Sequence, residues 1–382
     1  MRLTLSLEPL RRLQPLSLAH ARLATLVTMT ASGSTPPARP ARAAVMSTLV
    51  SAGFEEHHEI STAAAKYIDA SPDPFHATAN ACTRLEGAGF TRLDERDAWA
   101  GALKPGGRYF FTRNRSCLVA FAVGAQYEPG AGFKVIGAHT DSPNLKLKPR
   151  SKRSSSGCLQ LDVECYGGGL WHTWFDRDLS LSGRVMVREP GGEVAQRLVK
   201  IERPVLRVPN LCIHLQTPEE REAFKINKED HLAPILALEA IKGLDGTPAA
   251  VAEAAAKLAE GGAPGSGPAA EAAAAEAAGW VGGQEPVLLS ILGAELGVPA
   301  ADICDFELSL YDTQRAAVSG ARSEFLCSSR LDNLASCFVG LEALVEHAQT
   351  KLHEEREVCL LALFDHEEVG ARSRAYIASR RG

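Results

Sequence analysis

Val358-Cys-Leu-Leu-Ala-Leu-Phe364 runs directly into Asp365-His366-Glu367-Glu368-Val369-Gly370. Seven apolar residues closed off by charge predict a β-strand buried on both faces, as in a parallel sheet between helices. Four ionisable side chains then arrive at its C-terminal end, the end at which open α/β sheets bind ligands. Two adjacent glutamates there can divide the work of a metal hydrolase. One ligates the metal, and its neighbour handles the proton of the bound water. Taken alone, the Glu-Glu pair reads more readily as a solvated acidic loop.

Two other places carry similar chemistry. The predicted strand Phe133–Ala138 ends in Gly137-Ala-His-Thr-Asp-Ser-Pro143. Neutral imidazole at His139 is a good zinc ligand, and a nearby carboxylate can fix its tautomer and orientation. Taken alone, His139 reads as easily as a hydrogen-bonded loop histidine. Asp332 precedes an apolar helical stretch that runs to about Ala348. An Asp in that place commonly caps the helix, and it can also bridge two metals with one oxygen on each.

Around these points the texture alternates. Helices are predicted over Thr62–Ala70 and Phe75–Glu86, the second ending at Gly87 and Gly89. Strands are predicted over Tyr109–Arg113 and Cys117–Val123. From Leu145 to Gly320 alternating stretches (Leu159–Cys165, Arg184–Arg188, Leu211–Leu215) predict antiparallel strands, with a helix over Pro286–Gly297 and a strand over Phe306–Tyr311. Gly167-Gly168-Gly169 permits close backbone approach or unusual dihedrals but is not a phosphate-binding fingerprint. The α/β texture resumes at Glu324–Cys327. The expected fold is α/β, a mostly parallel sheet sandwiched by helices, with a mainly antiparallel β domain inserted. The expected boundaries are 47–148 and 322–382 for the first domain and 149–321 for the insert. Residues 249–279, nearly all Ala, Glu, Gly and Pro, read as a low-complexity insertion.

Composition narrows the function classes. The 382 residues are 45% hydrophobic and 23% charged, with a net charge of −5, which argues against general nucleic-acid binding. No run reaches the roughly 18 apolar residues of a membrane span. The nine cysteines include no Cys-x-x-Cys pair, so neither a zinc ribbon nor a disulfide framework is indicated, and a reducing compartment fits best. Residues 1–46 hold six arginines, no lysine and one acid, Glu8. That bias is the composition of a chloroplast or mitochondrial transit peptide, with a disordered extension on a cytoplasmic protein as the alternative.

Several long stretches, in this order, resemble the aspartyl aminopeptidases, a family of co-catalytic zinc metallopeptidases. They are Gly137–Pro149, Tyr166–Asp178, Val208–Leu211, Phe306–Leu308, Asp312–Gln314, Ser329–Leu334 and Phe364–Gly370. The resemblance implies that His139, oriented by Asp141, ligates a zinc, that Asp332 bridges two zincs and that Glu368 is a further ligand. Glu367 becomes the general base, and His172, on the inserted domain, is presented to a neighbouring subunit's site. It also implies two zinc ions per complete site, assembly into a homo-dodecamer through the inserted domain, and removal of an N-terminal Asp or Glu from peptides by a metal-activated water. The family pattern continues for about a hundred residues past the Glu-Glu motif and supplies a further Asp and His to the metals. The expectation is therefore a C-terminally truncated member, or a catalytically incomplete subunit that contributes only assembly surfaces. A relative acting on neutral N-terminal residues is a third reading.

Overall fold

The computed structural model describes residues 55–240 and 279–370. The expected transit segment (1–46), nearly all of the low-complexity insertion and the tail from Ala371 lie outside the described residues. The chain divides into two compact units, residues 1–63 with 318–326 and residues 64–317 with 327–382. In the first, the described residues are the start of α1 (Glu55–Ala70) and most of a two-stranded sheet formed by Ala317–Ser319 and Phe325–Cys327. The second holds two larger sheets and the helices that cover them.

The first of these sheets has five strands, β1 (Thr91–Arg92), β2 (Arg108–Arg113), β3 (Cys117–Val123), β4 (Phe133–His139) and β11 (Val358–Phe364), in the order β1-β2-β3-β11-β4. The sheet is mixed, not mostly parallel. Only three residues separate β2 from β3, and Asn114 and Arg115 turn there at positive φ. A connection that short can only make an antiparallel hairpin. β11 is antiparallel to β3 and parallel to β4. The apolar run Val358–Phe364 is thus a central strand, as expected, with most of its residues buried.

One face of this sheet packs on α2 (Pro74–Gly87) and α4 (Leu331–Thr350). Leu85, Cys337, Leu341 and Leu344 meet Phe110, Leu118, Leu361 and Leu363 in a continuous apolar core. Helix α2 starts where Asp73 accepts hydrogen bonds from the backbone N–H groups of Phe75 and His76, a standard N-cap with proline at the first helical position. In α4, by contrast, Asp332 is no cap. Arg330 holds that place in the left-handed region, and Asp332 has non-helical dihedrals.

The second sheet is antiparallel throughout, in the order β8-β7-β10-β5-β6-β9. It comprises β5 (Asn144–Ser155), β6 (Cys158–Tyr166), β7 (Leu179–Arg188), β8 (Val194–Lys200), β9 (Ile235–Leu238) and β10 (Ile303–Asp312). Its core joins Leu145, Leu161, Val185 and Leu308 to Leu288 and Leu292 of α3 (Pro286–Leu296). The alternation at Leu211–Leu215 is not a strand. Ile213–Leu215 form a short 3-10 helix, and Leu211, Ile213 and Leu215 are exposed, so no sheet face selects their spacing.

Candidate functional site

The register of β4 with β11 builds the site. Phe364 lies opposite His139 in this parallel pair, so both strands deliver polar residues at the same end. β5 begins five residues after His139, and its first residue, Asn144, pairs with Tyr166 at the end of β6. The antiparallel sheet is thereby brought against the ends of β4 and β11.

Asp141 is the hub. It is fully buried, and a buried carboxylate needs partners for its lone pairs. Its Oδ1 accepts the backbone N–H of Glu367 at 3.2 Å, and its Oδ2 accepts that of Glu368 at 3.0 Å. The Tyr166 hydroxyl donates to the same Oδ2 at 2.8 Å. His139 Nδ1 lies 3.0 Å from the Asp141 carbonyl oxygen and 3.4 Å from Oδ1. One aspartate therefore fixes the imidazole and the backbone that carries both glutamates. Burial works to raise the Asp141 pKa, but His139, the Glu368 N–H and Tyr166 together hold it below the ordinary value.

The other ring nitrogen of His139 faces the cleft. Nε2 is 3.3 Å from Asp332 Oδ1 and 3.9 Å from Glu367 Oε2. A ligand atom from each of His139, Glu367 and Glu368 lies within 4.8 Å of the others. An imidazole nitrogen tied down on its far side, facing carboxylate oxygens, is a donor set that suits zinc. Without a metal, burial lowers the His139 pKa but Asp141 and then Glu367 outweigh it, raising it to about 9. Glu368 is raised above the usual carboxylate range by burial and by its acidic neighbours Asp141, Asp332 and Glu367, against the pull of His139. Crowded acids around one imidazole favour any cation that can bind among them.

Of the sequence-predicted residues, His139, Asp141, Asp332, Glu367 and Glu368 come together, and His172 does not. It is exposed on the 3-10 helix Trp171–Trp174. Its neighbours Thr173 and Trp174 line a cavity of about 600 Å³ that also takes in Asp332 and Glu368. The same cavity is bordered by Arg177, Ser328, Ser329 and Arg330. Ser328 Oγ, Ser329 Oγ and Arg330 Nε are buried atoms without a hydrogen-bond partner.

Four contributors were not assigned from sequence. Tyr166 holds Asp141. The Asn333 side chain accepts the His139 N–H at 3.1 Å, and Ser142 Oγ donates to the Asp332 carbonyl at 2.9 Å. Gly167, at φ +76°, lies so near Glu368 that an added Cβ would sit 2.9 Å from the glutamate's own Cβ. Only the position of Tyr166 and Gly167 at the head of a conspicuous glycine run signalled them.

The chain as a whole is similar to known proteins. A family model described as aminopeptidase I zinc metalloprotease (M18) matches residues 67–380. The aspartyl aminopeptidase of Aspergillus oryzae is 44% identical over 312 residues, covering 80% of this chain and 60% of that protein. A chain of the Ape4 and Nbr1 complex, solved by cryo-EM, superposes with a TM-score of 0.71 at 39% identity, over 82% of this chain and 56% of that one. The mApe1 dodecamer of Saccharomyces cerevisiae gives 0.65 at 25% identity, over 84% and 63%. This chain thus spans about 60% of the length of the curated relatives it matches.

Proposed function

The chain belongs to the M18 family of aminopeptidase I zinc metalloproteases, and on that premise we propose that it removes N-terminal aspartate or glutamate from peptides. The observation that carries the reading is the Asp141 hub, which fixes His139 and the Glu367–Glu368 backbone so that His139 Nε2 and both glutamates share one cleft with Asp332. His139, Asp332 and Glu368 are the residues that would hold zinc, with two ions proposed for a complete site. Bound there, zinc supplies Lewis acidity toward the scissile carbonyl and lowers the pKa of a water.

The remaining steps belong to side chains. Glu367 takes the proton of the attacking water on its exposed carboxylate and returns it to the departing amine. Asp141 keeps the His139 ring from turning, so Nε2 stays directed at the cleft. Selectivity for an acidic residue is supported by the cavity wall, where Arg330 Nε and the Ser328 and Ser329 hydroxyls are unpaired. A substrate carboxylate would satisfy them, whereas a neutral side chain would leave them buried and unpaired, which costs about 1–3 kcal/mol for each such group. Like the dodecameric yeast relative, the protein is proposed to act as a homo-oligomer, with the exposed His172 serving a neighbouring subunit's site.

The test is turnover of Asp-, Glu- and Ala-terminal chromogenic substrates beside zinc content. Glu367→Gln should keep zinc and lose turnover by on the order of a hundredfold or more, as for general acid–base groups. Equal turnover of Ala- and Asp-terminal substrates would refute acidic selectivity. Assembled, zinc-loaded protein with no turnover at all would leave the assembly-only role.

A further inference from the structure

A second group of metal-type ligands lies at the opposite end of β11, in no contact with the Asp141 hub. His347 stands in the last turn of α4, Glu355 in the loop that follows, and Cys359 is the second residue of β11. From Cys359 to Phe364 the strand rises about 3.3 Å per residue, so the two clusters are some 15–20 Å apart. We propose that His347 Nε2, Glu355 Oε2 and Cys359 Sγ form a second transition-metal site, of the zinc class, that is independent of the peptidase centre.

Three observations carry this. The first is spacing. His347 Nε2 is 3.1 Å and Cys359 Sγ 3.7 Å from the same oxygen, Glu355 Oε2, and all three ligand atoms lie within 4.8 Å of one another. A tetrahedral zinc with bonds of about 2.0–2.3 Å separates nitrogen from oxygen by about 3.3 Å and sulfur from oxygen by about 3.5 Å. The second is rigidity. Glu355 Oε1 accepts the backbone N–H groups of Arg356 and Glu357 at 2.9 and 3.1 Å, which leaves Oε2 directed at the other two residues. The third is an orphan. His347 Nε2 is buried with no hydrogen-bond partner, despite its closeness to the carboxylate. Buried polar nitrogens are rarely left so, and a metal would occupy the lone pair.

Lys134 is the competitor. It lies opposite Cys359 in the β4–β11 register, and its Nζ is 2.7 Å from Glu355 Oε2. It is also 3.2 Å from Glu357 Oε2, and its side chain is 55% exposed. The ammonium can therefore keep Glu357 as its partner while the metal takes Glu355. On binding, the Cys359 S–H bond breaks, the sulfur–metal bond forms, and the proton leaves to solvent. One tetrahedral position remains for water.

Cobalt(II) added to the metal-free protein tests this site, and because Cys327 also borders the cavity that holds Asp332 and Glu368, the origin of any sulfur band is read from the Cys359 and His139 variants. The expected result is a thiolate-to-cobalt charge-transfer band that persists in His139→Gln and disappears in Cys359→Ser. His347→Gln should weaken cobalt binding at this band by tenfold or more. Lys134→Met, which removes the competing ammonium from Glu355, should tighten it by a similar factor. A band that survives Cys359→Ser, no band in the parent and Lys134→Met proteins alike, or cobalt affinity unmoved by Lys134→Met would each overturn the proposal.

Discussion

The Tyr166 hydroxyl donates to Asp141 Oδ2 across the two sheets, from the end of β6 to the loop after β4, at 2.8 Å. The same hydroxyl is 3.1 Å from His366 Nδ1. Burial, together with the charges of Asp141 and Asp365, pushes the Tyr166 pKa well above its ordinary value, so the phenol stays a donor at any working pH. Tyr166 therefore acts on His139 at one remove, by holding the carboxylate that holds the ring.

Tyr166→Phe removes that donor and keeps the ring packing. Asp141 retains the N–H groups of Glu367 and Glu368, so the fold should survive. Losing a partner that orients a ligating histidine typically costs 10- to 100-fold in metal affinity, and the lower end is expected here. A chelator-competition titration of zinc measures it. Unchanged affinity would show that the backbone donors alone fix Asp141.

Gly167→Ala is the sharper perturbation. The added methyl meets Glu368 Cβ at 2.9 Å, and the residue sits at φ +76°, where L side chains are strained by about 1–2 kcal/mol. Neither the Glu368 backbone, pinned to Asp141, nor β6 can yield cheaply. The expected outcome is a fall in zinc occupancy larger than that of Tyr166→Phe, with a modest loss of thermal stability. Full zinc content with an unshifted melting temperature would contradict the close approach.

Where strand ends converge, the sequence was informative for a physical reason. A buried strand must be apolar along its length, so the change to charge at Asp365 marks the end of β11 and the chemistry placed there; β4, which ends at His139, is an edge strand whose residues are mostly exposed. The mixed direction of the sheet was hidden, because a buried central strand looks alike whichever way its neighbours run. Asp332 was ambiguous, since an acid at a helix start reads as a cap until its dihedrals and its approach to His139 Nε2 are known. Tyr166 was marked only by its place at the head of the glycine run, because nothing in an alternating strand announces where a phenol will point. His347, Glu355 and Cys359 carry no recognisable spacing, being joined only by the antiparallel return of α4 onto β11.

If His172 serves a neighbouring subunit, two defects should complement one another. His172→Phe should lower turnover with zinc content unchanged, and Glu367→Gln should lower turnover within its own cleft. After subunit exchange, mixed oligomers would contain some clefts with both groups intact, and activity should return to a substantial fraction of the parent value. No recovery after exchange verified by mass spectrometry would confine His172 to its own subunit.

The last prediction concerns pH and the protein freed of metal. His139 is raised from 6.5 to about 9 in the folded chain, where burial is outweighed by its contacts with Asp141 and Glu367. The folded state therefore binds its proton more tightly than the unfolded state does. The stability this contributes is complete below about pH 6.5 and is lost as pH rises through about 9. Allowing for solvent screening, the contribution is on the order of 1–2 kcal/mol. Buried thiols such as Cys82 and Cys117, each pushed by burial up to about 11, add a similar loss, but only from about pH 9 upward. A melting series from pH 6 to 9.5 in chelator should thus fall in the parent protein and be nearly flat below pH 9 in His139→Gln. With zinc present the trend should reverse over the same range, since protons compete with metal for the imidazole nitrogen. An identical slope in parent and His139→Gln proteins would locate the titrating group elsewhere and detach His139 from the Asp141 hub.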